Sequence, residues 1–261
     1  MAQKPSADVP VRGALLDIDG VIATRGIALP GSVDAVRGLA ARGVPVRFVT
    51  NTTRRPRRRI LEDLRRLGVD AGDGDVFTPA AVAAALIAGR GLKPLLVIHP
   101  DLEEDFRDLA CGDAPAVVIG DAGAHFTYER LNRAYRALVH GAEFYALAKN
   151  RNFQDADGEL SLDAGPFVVA LEHAARREAI PLGKPSPAIF HAAARSMGLE
   201  PGDVVMIGDD AESDVAGAMA AGLRGVLVRT GKYRPGEETR LSAAPDAVED
   251  DLPAALRRFF P

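Results

Sequence analysis

Two aspartates stand two positions apart in Asp17-Ile18-Asp19-Gly20-Val21. In an extended or turning segment, residues two apart project to the same side, so both carboxyls can address one bound group. Such a pair suits a nucleophile beside a general acid–base, or a metal ligand beside a base. The spacing alone fits equally well a turn that exposes two carboxylates to water. Nothing downstream supplies the later ligand positions of a calcium loop. Thr50-Asn51-Thr52-Thr53 is a second group. Its hydroxyls and backbone amides could form a phosphate-binding corner ahead of a helix, or Thr52 or Thr53 could simply cap that helix.

Lys184 is the third feature, set in Gly183-Lys184-Pro185-Ser186-Pro187. A lysine between glycine and proline is held in a loop, unlike the usual lysine on a solvated face, although Pro185 also starts a helix well. The fourth is Gly208-Asp209-Asp210 with Asp214 following. Three carboxylates after a strand, with a glycine that allows close backbone approach, suit a hard divalent cation such as Mg2+. The plainer reading is an acidic helix start that complements the helix dipole.

The elements around these groups would bring them together. Residues 11–18, 44–50, 203–210 and 225–230 read as strands, alternating with helical patterns at 31–43 (Ser32 as N-cap), through Leu67, and at 212–221. This βαβ alternation predicts an α/β fold, a Rossmann-like doubly wound parallel sheet with its ligand site at the carboxyl ends of the strands. Asp17, Thr50 and Asp209 each fall at a strand end, so they should share one rim. A middle block has strands at 95–98, 116–119 and 144–148 and helices at 101–110, 128–140 and 166–178. The expected organisation is a core of residues 1–77 and 179–261 with an inserted α/β domain over 78–178.

The order Asp-x-Asp, Thr, Lys, Gly-Asp-x-x-x-x-Asp resembles the four-motif signature of the haloacid dehalogenase superfamily. Asp17 and Thr50 lie too close in the chain to admit a domain between them, whereas about a hundred residues are free between the helix after Thr50 and Lys184. This resembles the subfamily IIA arrangement, with a large α/β cap between the second and third motifs. RFVTNTT (47–53), GPFVVALEHA (165–174), GKPSP (183–187), VMIGDDAESDVAGA (205–218) and TGKYRP (230–235) extend the likeness, as do LLVIHPDLEEDF (95–106) and VVIGDAGAHFTYERLN (117–132).

The resemblance implies a Mg2+-dependent phosphatase of small phosphorylated metabolites. Asp17 would be the nucleophile that becomes an aspartyl-phosphate, and Asp19 the general acid–base. Thr50, Asn51 and Lys184 would hold the phosphoryl oxygens, while Asp17, the Asp19 carbonyl and Asp209 would hold the metal. Asp214 would orient Lys184 or a metal-bound water, and Asp210 either supports the site or is simply solvated. Lys149, Asn150 and Arg151 follow a cap strand where the subfamily places a substrate-facing loop, which makes Asn150 and Arg151 candidates for specificity. Most of the superfamily carries aspartate at the position of Asp19 and some members carry serine, so pyrophosphate or phosphoramidate substrates do not transfer directly. A homodimer is the assembly the family suggests.

Composition bounds the alternatives. The chain has 261 residues, 47% hydrophobic and 26% charged, with a net charge of −4, ordinary for a globular protein and without global attraction to nucleic acid or an anionic membrane. The basic run Arg54, Arg55, Arg57, Arg58 and Arg59 reads better as a solvated helix face that steers anions than as a nucleic-acid patch. The single Cys111 excludes a disulfide framework, the five histidines lack metal-ligand spacing, and the polar start MAQKPSADVP lacks a signal peptide's apolar stretch. A cytoplasmic protein that binds neither membrane nor nucleic acid is expected. No nucleotide-binding glycine motif occurs. A phosphoacceptor signalling domain uses similar residues, but its acidic pair comes first, not after the threonine and lysine as here. A phosphomutase or a silent phosphate-binding regulator on the same fold remains compatible with the motifs.

Overall fold

The computed structural model describes residues 10–109, 112–154 and 157–261. Cys111 and most of the N-terminal stretch used for the signal-peptide reading lie outside them. The described chain forms two compact units, one of Met1–Thr50, Arg58–Phe77 and Lys184–Pro261, the other of Asn51–Arg57 and Thr78–Gly183.

In the first unit six strands form one sheet in the order Ala247–Glu249, Arg224–Val228, Val204–Gly208, Gly13–Leu16, Val46–Val49, Val76–Phe77. Every pairing in it is parallel. The central strands Gly13–Leu16 and Val204–Gly208 are buried throughout, as unbroken apolar runs must be when helices cover both sheet faces. The chain leaves the middle strand toward Val46–Val49 on one side, then returns to build Val204–Gly208 on the other. The strand order therefore reverses between Gly13–Leu16 and Val204–Gly208, where a ligand crevice forms in open α/β sheets. Leu16 pairs with Ile207 there, and both are fully buried. Truncating such a leucine to alanine costs about 2–5 kcal/mol, so the residues that follow start from a rigid base.

Three helices of this unit share one core cluster with the sheet. Ser32–Ala41 buries Val36 and Leu39, Arg57–Arg66 buries Ile60, Leu61 and Leu64, and Leu252–Phe259 buries Leu252, Ala255 and Leu256. These side chains meet Leu16, Phe48, Ile207 and Val226 in one cluster. Ser32 is not the expected N-cap. Gly31, with φ of 70°, holds that position, while the buried Ser32 hydroxyl lies 2.8 Å from both the Ile22 and Leu29 carbonyls and ties the helix start to the loop before it.

The second unit holds its own parallel four-stranded sheet, ordered Ile180–Pro181, Glu143–Ala146, Ala114–Ile119, Leu92–Val97. Val117, Ile119, Leu138, Phe144, Val168 and Leu171 pack its core, with Phe126 and Phe167 stacked 3.7 Å apart. Thr78 and Thr127 cap its helices Pro79–Gly89 and Tyr128–Val139. The helix expected over 101–110 is instead a tighter 3-10 segment, Pro100–Phe106. The small hairpins Ala23–Thr24/Ile27–Ala28 and Asn152–Gln154/Leu160–Leu162 were not foreseen from the sequence.

Candidate active site

Asp17 follows the last residue of Gly13–Leu16, and its amide donates to the Ile207 carbonyl at 3.0 Å, so the sheet register itself sets its position. Asp209 follows Val204–Gly208 in the same way on the neighbouring strand. Asp214 lies in a wide π-type turn, Ala211–Ala216, and its Oδ2 accepts the Asp210 amide at 3.2 Å. Its packing against the strand end depends on Gly208, because a Cβ there would overlap the Asp214 side chain. Lys184 precedes the helix Pro187–Ser196, whose start is capped by Ser186 and which packs against Gly13–Leu16 and Val46–Val49.

These four side chains converge and are all buried. Lys184 Nζ lies 2.7 Å from Asp17 Oδ1, 2.6 Å from Asp214 Oδ1 and 3.3 Å from the Val49 carbonyl. One carboxylate oxygen from each of Asp17, Asp209 and Asp214 falls within 4.8 Å of the others, the single potential metal-holding group of this kind among the described residues. Asp209 Oδ2 accepts the Lys232 amide at 2.7 Å, whereas Asp209 Oδ1 is buried without a hydrogen-bond partner. A buried carboxylate oxygen left unsatisfied carries a substantial desolvation cost.

The electrostatics follow from that geometry. Burial pushes the Asp209 and Asp214 carboxyls up to about 6, against partial relief from the Lys232 amide for the first and Lys184 for the second. Burial likewise raises Asp17, opposed by Lys184 and reinforced by Asp209. Burial alone would lower the Lys184 ammonium, but Asp17 and Asp214 hold it above the usual lysine range. Three carboxylates around one ammonium leave a deficit of positive charge that a divalent cation would cancel. The all-oxygen donor set and the orphaned Asp209 Oδ1 fit a hard cation such as Mg2+.

The remaining sequence candidates are distributed as follows. Asp19 is exposed in the turn after Asp17, bridged to Ala23. Thr50 directly follows the Val46–Val49 strand, its amide donating to the Phe77 carbonyl at 3.0 Å. Asp210 accepts the Glu212 and Ser213 amides at 3.2 and 2.9 Å and so starts the turn that carries Asp214. Asn51, Asn150 and Arg151 belong to the second unit. There Asn150 and Arg151 are exposed, and their carbonyls accept the Gly165 and Asp163 amides at 2.9 and 3.2 Å. Lys149 pairs with Glu172 at 2.8 Å. In the basic run, Arg58 and Arg59 are paired with Glu62, and Arg54 with the buried Asp121. No histidine joins the metal-holding group among the described residues. Sequence reasoning missed Thr230, Gly231 and Lys232, which close over Asp209. The segment TGKYRP (230–235) carried part of the family likeness, but nothing in it pointed to contact with Asp209.

Comparison with known proteins shows the family. The haloacid dehalogenase-like hydrolase family model matches residues 14–111, and a second, HAD-hydrolase-like model matches residues 181–255. Haloacid dehalogenase-like hydrolase domain-containing protein 2 of Bos taurus is 40% identical over 246 residues, covering 94% of this chain and 95% of the relative. The chain belongs to the haloacid dehalogenase-like hydrolases. Phospholysine phosphohistidine inorganic pyrophosphate phosphatase of Danio rerio is 41% identical over 253 residues, 94% of this chain and 93% of that protein. The solved p-nitrophenyl phosphatase from Archaeoglobus fulgidus superimposes with a TM-score of 0.87 at 29% identity, over 95% of this chain and 99% of that one. As a haloacid dehalogenase-like hydrolase, the chain has the Rossmann-like core of its family together with an inserted α/β cap unit. No helix among the described residues is long and apolar enough to cross a membrane.

Proposed function

We propose that this hydrolase is a Mg2+-dependent phosphatase of small phosphorylated metabolites in which Asp17 is the nucleophile. The observation that supports this best is the buried convergence of Asp17, Lys184, Asp209 and Asp214 where the strand order reverses. The names of the relatives, two of them phosphatases, point the same way.

A carboxylate of Asp17 attacks phosphorus, and the bond to the leaving oxygen breaks as an aspartyl-phosphate forms. Asp19, exposed two residues on, protonates that leaving oxygen. It then takes a proton from the water that attacks the phosphorus, which breaks the bond to Asp17 and frees phosphate. Lys184 places a permanent positive charge beside Asp17, where the phosphoryl oxygens gather charge, and Thr50 and Asn51 supply hydrogen-bond donors. Asp17, Asp209 and the Asp19 carbonyl would hold Mg2+, with Asp214 contributing directly or through Lys184. When bound, the ion supplies Lewis-acid charge neutralisation between carboxylate and phosphate. Asp210 supports the turn that carries Asp214.

Asn150 and Arg151 are proposed to read the leaving group, so alanine there should redistribute activity among substrates and not lower all of it equally. The family likeness also supports a cytoplasmic homodimer, which sedimentation and fractionation would test. The direct test of the activity is phosphate release from alkyl, aryl and sugar phosphates, pyrophosphate and phosphoramidates, with Mg2+ or with chelator. Mg2+-supported release from alkyl or sugar phosphates is expected. Release from no class, or full release after chelation, contradicts the proposal.

A further inference from the structure

We infer that Thr230 is a positioning residue for the metal-holding aspartate, through a clasp that joins three strand ends. This rests on the reading of Asp209 as a Mg2+ ligand. The three ends belong to Gly13–Leu16, Val204–Gly208 and Arg224–Val228, which lie side by side with Val204–Gly208 in the middle. Asp209 leaves the middle strand. Segments from the two flanking strands, Gly20 on one side and Gly231 on the other, close over its carboxylate.

The closeness is measured by what a side chain would meet. A Cβ built on either Gly20 or Gly231 would overlap Asp209 Oδ2, and each would also press on the other glycine's Cα. Both glycines have positive φ, 84° and 55°, so each is required by space and by backbone conformation. Between these two walls, Asp209 Oδ2 takes the Lys232 amide at 2.7 Å. One oxygen is thereby fixed and the other, Oδ1, is the buried orphan. The clasp thus converts a carboxylate that could rotate into one that presents a single oxygen in a set direction.

Thr230 fastens the clasp. Its hydroxyl donates to the Gly20 carbonyl, across the end of the middle strand. That one bond links the loop that holds Asp209 to the turn that carries Asp17 and Asp19. The same turn is closed by the Gly20 amide on the Ala23 carbonyl at 2.8 Å. The Asp17 amide on the Ile207 carbonyl already joins the two strand ends, and the Thr230 bond adds a second tie beyond them, between the loop over Asp209 and the turn after Asp17. Lys232 adds an ammonium 3.6 Å from Asp210 Oδ2, which offsets part of the acidic charge beside the clasp.

Thr230→Val keeps the shape of the side chain and removes the donor, whereas Thr230→Ser keeps the donor. The test is Mg2+ affinity, read by calorimetry and by the Mg2+-dependent rise in Tm, on parent and variants without substrate. Thr230→Val should bind Mg2+ up to roughly 10-fold more weakly, the lower end of the loss seen when a direct partner of a metal ligand is removed, since Thr230 acts one bond further out, and Thr230→Ser should stay near the parent. In assays, Thr230→Val should recover much of its kcat at saturating Mg2+, with KM for substrate little changed. A general structural role would lower Tm without changing Mg2+ affinity. If Thr230→Val does not fold, Thr230→Ala, the second hydroxyl-free variant, is measured in the same way. A folded hydroxyl-free variant that binds Mg2+ like the parent overturns the role of Thr230 alone. A parent that shows no Mg2+ binding overturns the metal reading of Asp209, and the clasp with it.

Discussion

Lys184 Nζ lies 2.7 Å from Asp17 Oδ1, although 167 residues separate the two in the chain. Its other carboxylate neighbour, Asp214 Oδ1, is 2.6 Å away, and all three groups are buried. The ammonium is therefore a structural element of the cluster, because it is the cation the crowded carboxylates share.

Replacing it should expose that dependence. Lys184→Met leaves Asp17 and Asp214 without the neighbour that lowers them, so their folded pKa values rise further above the ordinary 3.8. A carboxyl with a raised folded pKa contributes stability below its unfolded value and loses it as pH rises through the folded one. Lys184→Met should thus cost about 3–5 kcal/mol near neutrality, the usual result of breaking a buried pair. Urea unfolding should show a smaller deficit at pH 5 than at pH 8. An equal deficit at both would mean that the three groups are not coupled as the distances imply.

The metal-free parent carries the same signature more weakly. Asp209 and Asp214 sit at about 6 when folded against 3.8 ordinarily, so their contribution is present below about pH 4 and lost as pH rises through about 6. Mg2+ competes with protons for these oxygens. The rise in Tm on adding Mg2+ should therefore be larger at pH 7.5 than at pH 5, and Asp209→Ala should abolish it. A Mg2+ effect independent of pH, or one that survives Asp209→Ala, would place the ion elsewhere.

Asp19→Ser tests the general acid. Protonation matters most for a poor leaving group such as the alkoxide of an alkyl phosphate, and least for phosphate or a protonated amine. At fixed pH and Mg2+, the variant should lose far more activity on alkyl phosphates than on pyrophosphate or a phosphoramidate. An equal loss on all of them, with leaving-group release unchanged in the transient phase, would confine Asp19 to activation of water.

What could be read from sequence was what depends on local pattern. Asp17 and Asp209 each directly follow an apolar run, and a parallel sheet converts that position into a shared rim. Thr230 and Gly231 stood in the TGKYRP segment of the family likeness, but their role could not be read there, because it is defined by closeness to Gly20 and Asp209, which only the strand order creates. Ser32 looked like a helix cap by type, yet the Ile22 and Leu29 carbonyls claim its hydroxyl and Gly31 takes the cap position. The acidic segment Pro100–Phe106 has helical composition but winds more tightly, a distinction that residue type does not encode.

The nucleophile itself is open to direct chemical capture. Acid quenching during turnover of a labelled phosphomonoester, followed by borohydride reduction and peptide mass analysis, reports any acyl phosphate as homoserine at its position. Homoserine at residue 17 is expected, absent from Asp17→Asn, whose turnover should fall by several orders of magnitude with its fold intact. Homoserine at another aspartate, or an Asp17→Asn protein that turns over normally, would contradict the central role given to Asp17.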